Sequence, residues 1–89
     1  MFFMVTVWYP PDKVTEGGKI LSSGKLPELP SFVKRLHLFV AADKEVKTYA
    51  IYEVENKKAY EGLVAISNRY VAYFKIEGFR YRMEPLLTM

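Results

Sequence analysis

The sequence predicts an α+β domain of βαββαβ order, and three observations carry that reading. Four runs rich in β-branched and aromatic residues stand at Phe2 to Tyr9, Phe32 to Ala41, Val46 to Val54 and Phe79 to Met83. Two segments with apolar residues at helical spacing lie after the first and third runs. At 89 residues the chain holds enough for one domain and too little for two.

The first strand, Phe2 to Tyr9, ends at Pro10-Pro11-Asp12, because proline gives no hydrogen to a ladder. Asp12 is placed to cap the next element. The apolar start reads as a strand, not a signal peptide: no basic stretch precedes it and the prolines cut it short. A helix is predicted from Lys13 to Ser23, with Val14, Gly17 or Gly18, and Leu21 on one side. Gly17-Gly18 weakens it by about 1 kcal/mol per glycine relative to alanine. The glycines are expected to let the helix approach the sheet; the spacing of a phosphate-cradling loop is absent.

Ser22 to Pro30 is a loop broken by Gly24, Pro27 and Pro30. The second and third strands form a hairpin around Ala42-Asp43-Lys44-Glu45. Alternation places Leu36, Leu38 and Val40 with Tyr52, Ala50 and Thr48 on one face, and Arg35, His37 and Phe39 with Glu53, Ile51 and Tyr49 on the other. Arg35 then stands opposite Glu53. Asn56 is a candidate cap for a helix from Lys57 to about Tyr70, with Tyr60, Leu63, Val64, Ser67 and Val71 as its apolar side. Phe74-Lys75-Ile76 reads as a short extended piece, and Pro85 is expected to end the last strand. The first and third strands are apolar on both faces, whereas the second and fourth are lopsided. That predicts strand order 4-1-3-2, the ferredoxin-like split βαβ arrangement with both helices on one face.

Several fragments carry a resemblance. Met1-Phe2-Phe3-Met4-Val5-Thr6, Phe32-Val33-Lys34-Arg35-Leu36, Tyr49-Ala50-Ile51-Tyr52-Glu53-Val54 and Met83-Glu84-Pro85 resemble the dimeric α/β-barrel superfamily, and within it a family of short uncharacterised proteins. A Trp-His pair late in that family's second strand is replaced here by Phe39-Val40. Thr48 to Val54 and Tyr73 to Phe79 also look like the third strand and last segment of muconolactone isomerase. Two helices cover only one face of the sheet, while both central strands are apolar on both faces. A homodimer through the open sheet face is therefore expected, as the resemblance also implies. The resemblance further implies a small-molecule-binding or regulatory role without a cofactor. The alternative it leaves open is a cofactor-independent isomerase or monooxygenase acting on a small aromatic or lactone-like acid.

Composition narrows the chemistry. Apolar residues make up 51% and aromatics 16%, which is globular and argues against disorder. The net charge of +3 is spread among ten acids, with no basic stripe of the kind nucleic-acid binders carry. Lys47 to Val54 matches the third-strand motif of RNA-recognition domains only at Lys47, Tyr49 and Ala50; Ile51 stands where a base-stacking aromatic is needed. No nucleic-acid partner is expected. Without cysteine and with a single histidine, disulfides, thiolate chemistry and a multi-histidine metal site within one chain are excluded. No apolar run reaches the roughly 20 residues that span a bilayer, so a cytoplasmic protein without membrane partners is expected.

Arg35, His37, Arg80 and Arg82 are expected on the sheet face away from the helices, because the other faces of their strands are the apolar ones. They are placed to bind an anionic ligand or to form the polar rim of a dimer. His37 and Glu53 are the candidates for proton transfer. Tyr49, with Trp8, Tyr52 and Tyr81, is a candidate wall for a flat aromatic ligand.

Overall fold

The structure, a computed structural model, describes residues 1–89. Four strands and two helices succeed one another as β1 (Phe2–Tyr9), α1 (Val14–Ser22), β2 (Val33–Ala42), β3 (Val46–Val54), α2 (Ala59–Tyr70) and β4 (Arg80–Leu86). Single 3-10 turns at Pro11–Lys13 and Asn56–Lys58 lead into the helices, and a longer one, Val71–Lys75, continues from α2. The strands form one antiparallel sheet in the order β2-β3-β1-β4, the 4-1-3-2 order expected, read from the other edge. The fold is therefore α+β, with the ferredoxin-like order of elements.

β1 and β3 sit in the middle because both their faces are apolar. Phe3, Val5 and Val7 from β1 and Ala50, Tyr52 and Val54 from β3 are all buried and form the core beneath the helices. Each helix buries a glycine and an isoleucine, Gly17 and Ile20 on α1, Gly62 and Ile66 on α2. This corrects the expected helix faces. Val14 and Leu21 on α1, and Tyr60, Leu63, Val64 and Val71 around α2, are exposed. For α2 the reason is its close seat on the sheet. A Cβ on Gly62 would overlap Val54 Cγ1 and lie 2.9 Å from Cγ2, so only a glycine fits where that helix crosses β3. The helix is thereby rotated to point Ile66 inward instead of the longer apolar stripe.

Other local expectations change for physical reasons. Neither Asp12 nor Asn56 caps a helix. Asn56 Oδ1 instead accepts a hydrogen bond from the Met1 amine at 2.7 Å, which ties the start of β1 to the end of β3. Phe74-Lys75-Ile76 is no extended piece; its first two residues belong to the 3-10 turn, and buried Ile76 closes that turn. Gly78 then turns the chain at φ +86°, a conformation that glycine adopts freely. β4 runs on through Pro85 to Leu86, because an edge strand tolerates a proline whose missing N–H is not needed by a neighbour.

The hairpin carries the correction that matters most for function. His37 stands opposite Ile51, Leu38 opposite Ala50, Phe39 opposite Tyr49 and Val40 opposite Thr48, as alternation requires. Toward the start of β2, however, Lys34 pairs with Glu53 and Arg35 with Tyr52, and Leu36 is the extra residue of a β-bulge between Arg35 and His37. The bulge inverts the alternation before it. Arg35 and Glu53 therefore lie on opposite faces, and Arg35 shares the helix-side face with Tyr52.

Candidate functional site

The helix layer does not reach the β2 edge. Leu38 and Val40 point toward the helix side but remain 40% and 67% exposed, which leaves a cleft between β2, α1 and the end of α2. Its volume is about 140 Å³. Val7, Thr48, Leu38 and Val40 supply the floor, Leu21 and Leu26 one side, Tyr73 and Phe79 the other. Gly17 and Gly18 form part of the roof. A Cβ on Gly17 would meet the Tyr9 ring at 3.5 Å, an ordinary contact, and one on Gly18 would meet nothing within 4 Å. Close approach to the sheet is therefore not what these glycines provide. They leave the roof of the cleft unfilled.

Two guanidiniums belong to this cleft. Arg35 is delivered by the bulge at Leu36, and Arg69 by the last turn of α2, where it donates to the Pro27 carbonyl. Neither forms an ion pair with a carboxylate, and no acidic residue lines the cleft. Beside them the Tyr52 and Tyr70 hydroxyls share a hydrogen bond of 2.9 Å. Burial drives the Tyr70 phenol far above its ordinary range, helped by its neighbour Tyr52 and opposed by Arg69. Tyr73 is raised as well, chiefly by burial, while Arg69 and Arg35 pull it back. These phenols stay protonated at neutral pH and serve as hydrogen-bond donors, not as bases. Stacking of Tyr70 on Tyr81 at 5.5 Å and of Tyr73 on Phe79 at 5.6 Å holds the rings against β4 and the turn before it.

A raised phenol couples folding to alkaline pH. Its contribution is fully present below the unfolded value of about 10 and is lost as pH climbs from there toward the folded value. The expected loss through Tyr70 approaches about 1.4 kcal/mol per pH unit. Urea denaturation of wild type and Tyr70→Phe between about pH 9 and pH 11 reports on this group together with the hydrogen bond it makes with Tyr52. The wild type should lose stability more steeply; parallel curves would show that Tyr70 ionises freely.

The open face of the sheet gathers the remaining candidates. His37 stacks on Phe39 at 5.5 Å and both are exposed. Tyr49 stands between Thr6 and Phe39 on the neighbouring strands, and exposed Glu53 stands between Phe2 and Lys34. Arg80 is paired with Glu45 at 2.5 Å and Arg82 with Glu84 at 3.2 Å. Both guanidiniums also lie over the Trp8 ring, 5.5 and 5.4 Å from its centroid. Arg80 and Arg82 thus already have acidic and aromatic partners.

The structure therefore divides the predicted set. His37, Tyr49, Glu53, Arg80 and Arg82 lie on the open face, whereas Arg35 is corrected to the cleft by the bulge. Of the four aromatics proposed as a ligand wall, only Tyr52 lines the cleft. Tyr81 backs it through Tyr70, and Trp8 and Tyr49 belong to the open face. Tyr9, Arg69, Tyr70, Tyr73 and Phe79 were missed. A signal existed in the spacing of Tyr70 and Tyr73, three apart at the end of a helix and so on one side of it. Comparison with protein-family models and with curated proteins finds no match. No helix is long and apolar enough to cross a membrane. Fold and cleft together define an α+β domain with an apolar, arginine-edged recess between its sheet and its helices.

Proposed function

We propose that this chain is a cytoplasmic, homodimeric protein of the dimeric α/β-barrel type that binds a small molecule in the cleft, as a carrier or a regulatory sensor. The observation that carries the reading is the roof of the cleft. Two consecutive helical glycines cost about 1 kcal/mol each relative to alanine, and neither position is forced to be glycine by a steric conflict. Their yield is open space over an apolar floor. Binding is favoured over catalysis because His37 and Glu53, the residues suited to move a proton, lie on the opposite face of the sheet. The Tyr70 and Tyr73 phenols hold their protons too tightly to act as bases. A two-dimensional NMR titration with a panel of neutral and charged single-ring compounds tests the reading. Shifts should cluster at Gly17, Gly18, Leu38 and Tyr73 without turnover of the compound. A panel that leaves these positions unmoved would overturn it.

Homodimerisation is supported by the uncovered face. Phe2, Met4, Trp8, Tyr49 and Ile51 are only half-buried there and Phe39 is 56% exposed. Four strands spaced at about 4.8 Å and each about 20 Å long offer roughly 400 Å² of projected area, as large as the biggest apolar patch on typical monomers. Two such faces packed about a two-fold axis form an isologous interface, with His37, Arg80 and Arg82 at its rim. Its total buried area is expected at or above the standard of about 1,600 Å². Light scattering should give twice the chain mass of 10.4 kDa. Ile51→Lys, at the centre of the patch, should give a folded monomer. A monomeric mass for the wild type at micromolar concentration would overturn the dimer.

A further inference from the structure

We infer that the ligand of the cleft is a small carboxylic acid with a single-ring or comparably compact apolar body, its carboxylate held by Arg35 and Arg69. The inference rests on the small-molecule reading above and adds the chemical class. It begins with charge. Of the arginines, Arg80 and Arg82 are matched to Glu45 and Glu84, but Arg35 and Arg69 have no carboxylate and share one apolar recess. Two guanidiniums lining one recess without a carboxylate partner give it a positive field that favours an anion. Arg69 has only the neutral Pro27 carbonyl as a protein acceptor, which orients the fork without neutralising it.

The delivery of Arg35 is the second, independent observation. Regular alternation would send it to the open face beside Glu53. The extra residue Leu36 re-aims it into the cleft, the use to which bulges near functional sites are put. The same step removes it from its nearest carboxylate and leaves Lys34 opposite Glu53. The Tyr52–Tyr70 hydroxyl pair also lines the recess and supplies donor capacity for an anionic oxygen.

Size and polarity set the rest of the ligand. A recess of about 140 Å³ is close to the roughly 150 Å³ of an apolar cavity that takes up benzene. Its walls are mostly aliphatic and aromatic, with the stacked Tyr73–Phe79 pair offering a flat apolar surface. The surroundings disfavour a phosphate dianion, whose desolvation costs more than that of a carboxylate.

Phenylacetate, phenylacetamide and phenyl phosphate separate the alternatives, titrated into the full chain by NMR. Phenylacetate should shift the cleft residues and bind at least about tenfold more tightly than the amide. Arg35→Met and Arg69→Met should each weaken phenylacetate by about tenfold or more and leave the amide unchanged. Arg35→Lys should recover part of the loss, since it keeps charge but not the planar fork. Both arginines lie at the surface of the cleft, and overlay of each variant's spectrum on the wild type confirms that it is folded. Equal binding of acid and amide, indifference to both arginine variants, or tighter binding of phenyl phosphate would overturn the carboxylate assignment while leaving the small-molecule reading intact. Absence of shifts with all three probes also overturns it, and the wider panel above then decides the small-molecule reading separately.

Discussion

Gly62→Ala is expected to destabilise the domain by about 1–3 kcal/mol, the usual cost of overpacking a close-packed core, although alanine is the better helix former by about 1 kcal/mol. The sign is set by the floor beneath the helix. The added methyl overlaps Val54, which is 1% exposed and held between β3 and the core. Neither partner can turn aside: Val54 has a stiff β-branched side chain, and the methyl is fixed to the helix backbone. The helix must lift, and with it move Arg69, Tyr70 and the 3-10 turn carrying Tyr73. For a domain of this size the melting temperature should fall by about 4–8 °C per kcal/mol. Val54→Ala removes the colliding methyls, so the double variant should be clearly more stable than the sum of the two single changes, by a coupling of about 0.5–3 kcal/mol. Thermal and urea denaturation of the four proteins measures it. A Gly62→Ala protein as stable as the parent would mean that α2 does not rest on Val54.

The same contact shows which parts of the fold were legible in the sequence. β1 and β3 were readable to the residue, because a central strand needs apolar side chains on both faces and Phe2–Tyr9 and Val46–Val54 supply them. Strand order could be inferred from that asymmetry. The helix faces were not readable. Hydrophobic periodicity finds the apolar stripe Tyr60, Leu63, Val64, Ser67, Val71, but the seat on the sheet depends on a glycine, which adds nothing to an apolar count.

The cleft was partly legible. Its tyrosines and arginines were visible as residue types, but Arg35 was assigned to the wrong face. Alternation was carried straight through Leu36, although buried Val33 and the inward pair Leu38 and Val40 differ in phase by one residue. That phase jump shows only in the burial; in the sequence Phe32 keeps the phase of Leu36, Leu38 and Val40. Arg69 belongs to the cleft only because the last turn of α2 borders it, a tertiary fact with no local signature.

Ile66→Ala should cost about 2–5 kcal/mol, the range for deleting a buried branched side chain and leaving a cavity. Leu63→Ala and Val64→Ala should each cost below about 1 kcal/mol, because each of these side chains is 38% exposed while Ile66 is 0% exposed. The comparison is sharp because all three residues are apolar and lie within one turn of the same helix, so differences in helix propensity are small beside the packing term. Ile66 packs in the core cluster with Val5, Ala50, Tyr52 and Val54. It stands four residues before Tyr70, on the same side of the helix, and so holds the turn that bears the Tyr52 hydrogen bond. Loss of Ile66 should therefore also loosen the cleft, which amide hydrogen exchange at Arg69 and Tyr70 would register as faster opening. Against natural stabilities of about 5–15 kcal/mol, a loss of that size leaves a domain near the threshold of unfolding at growth temperature. Equal costs at Leu63 and Ile66 would mean that the outer stripe of α2 is covered in solution, and that the helix presents a second buried face.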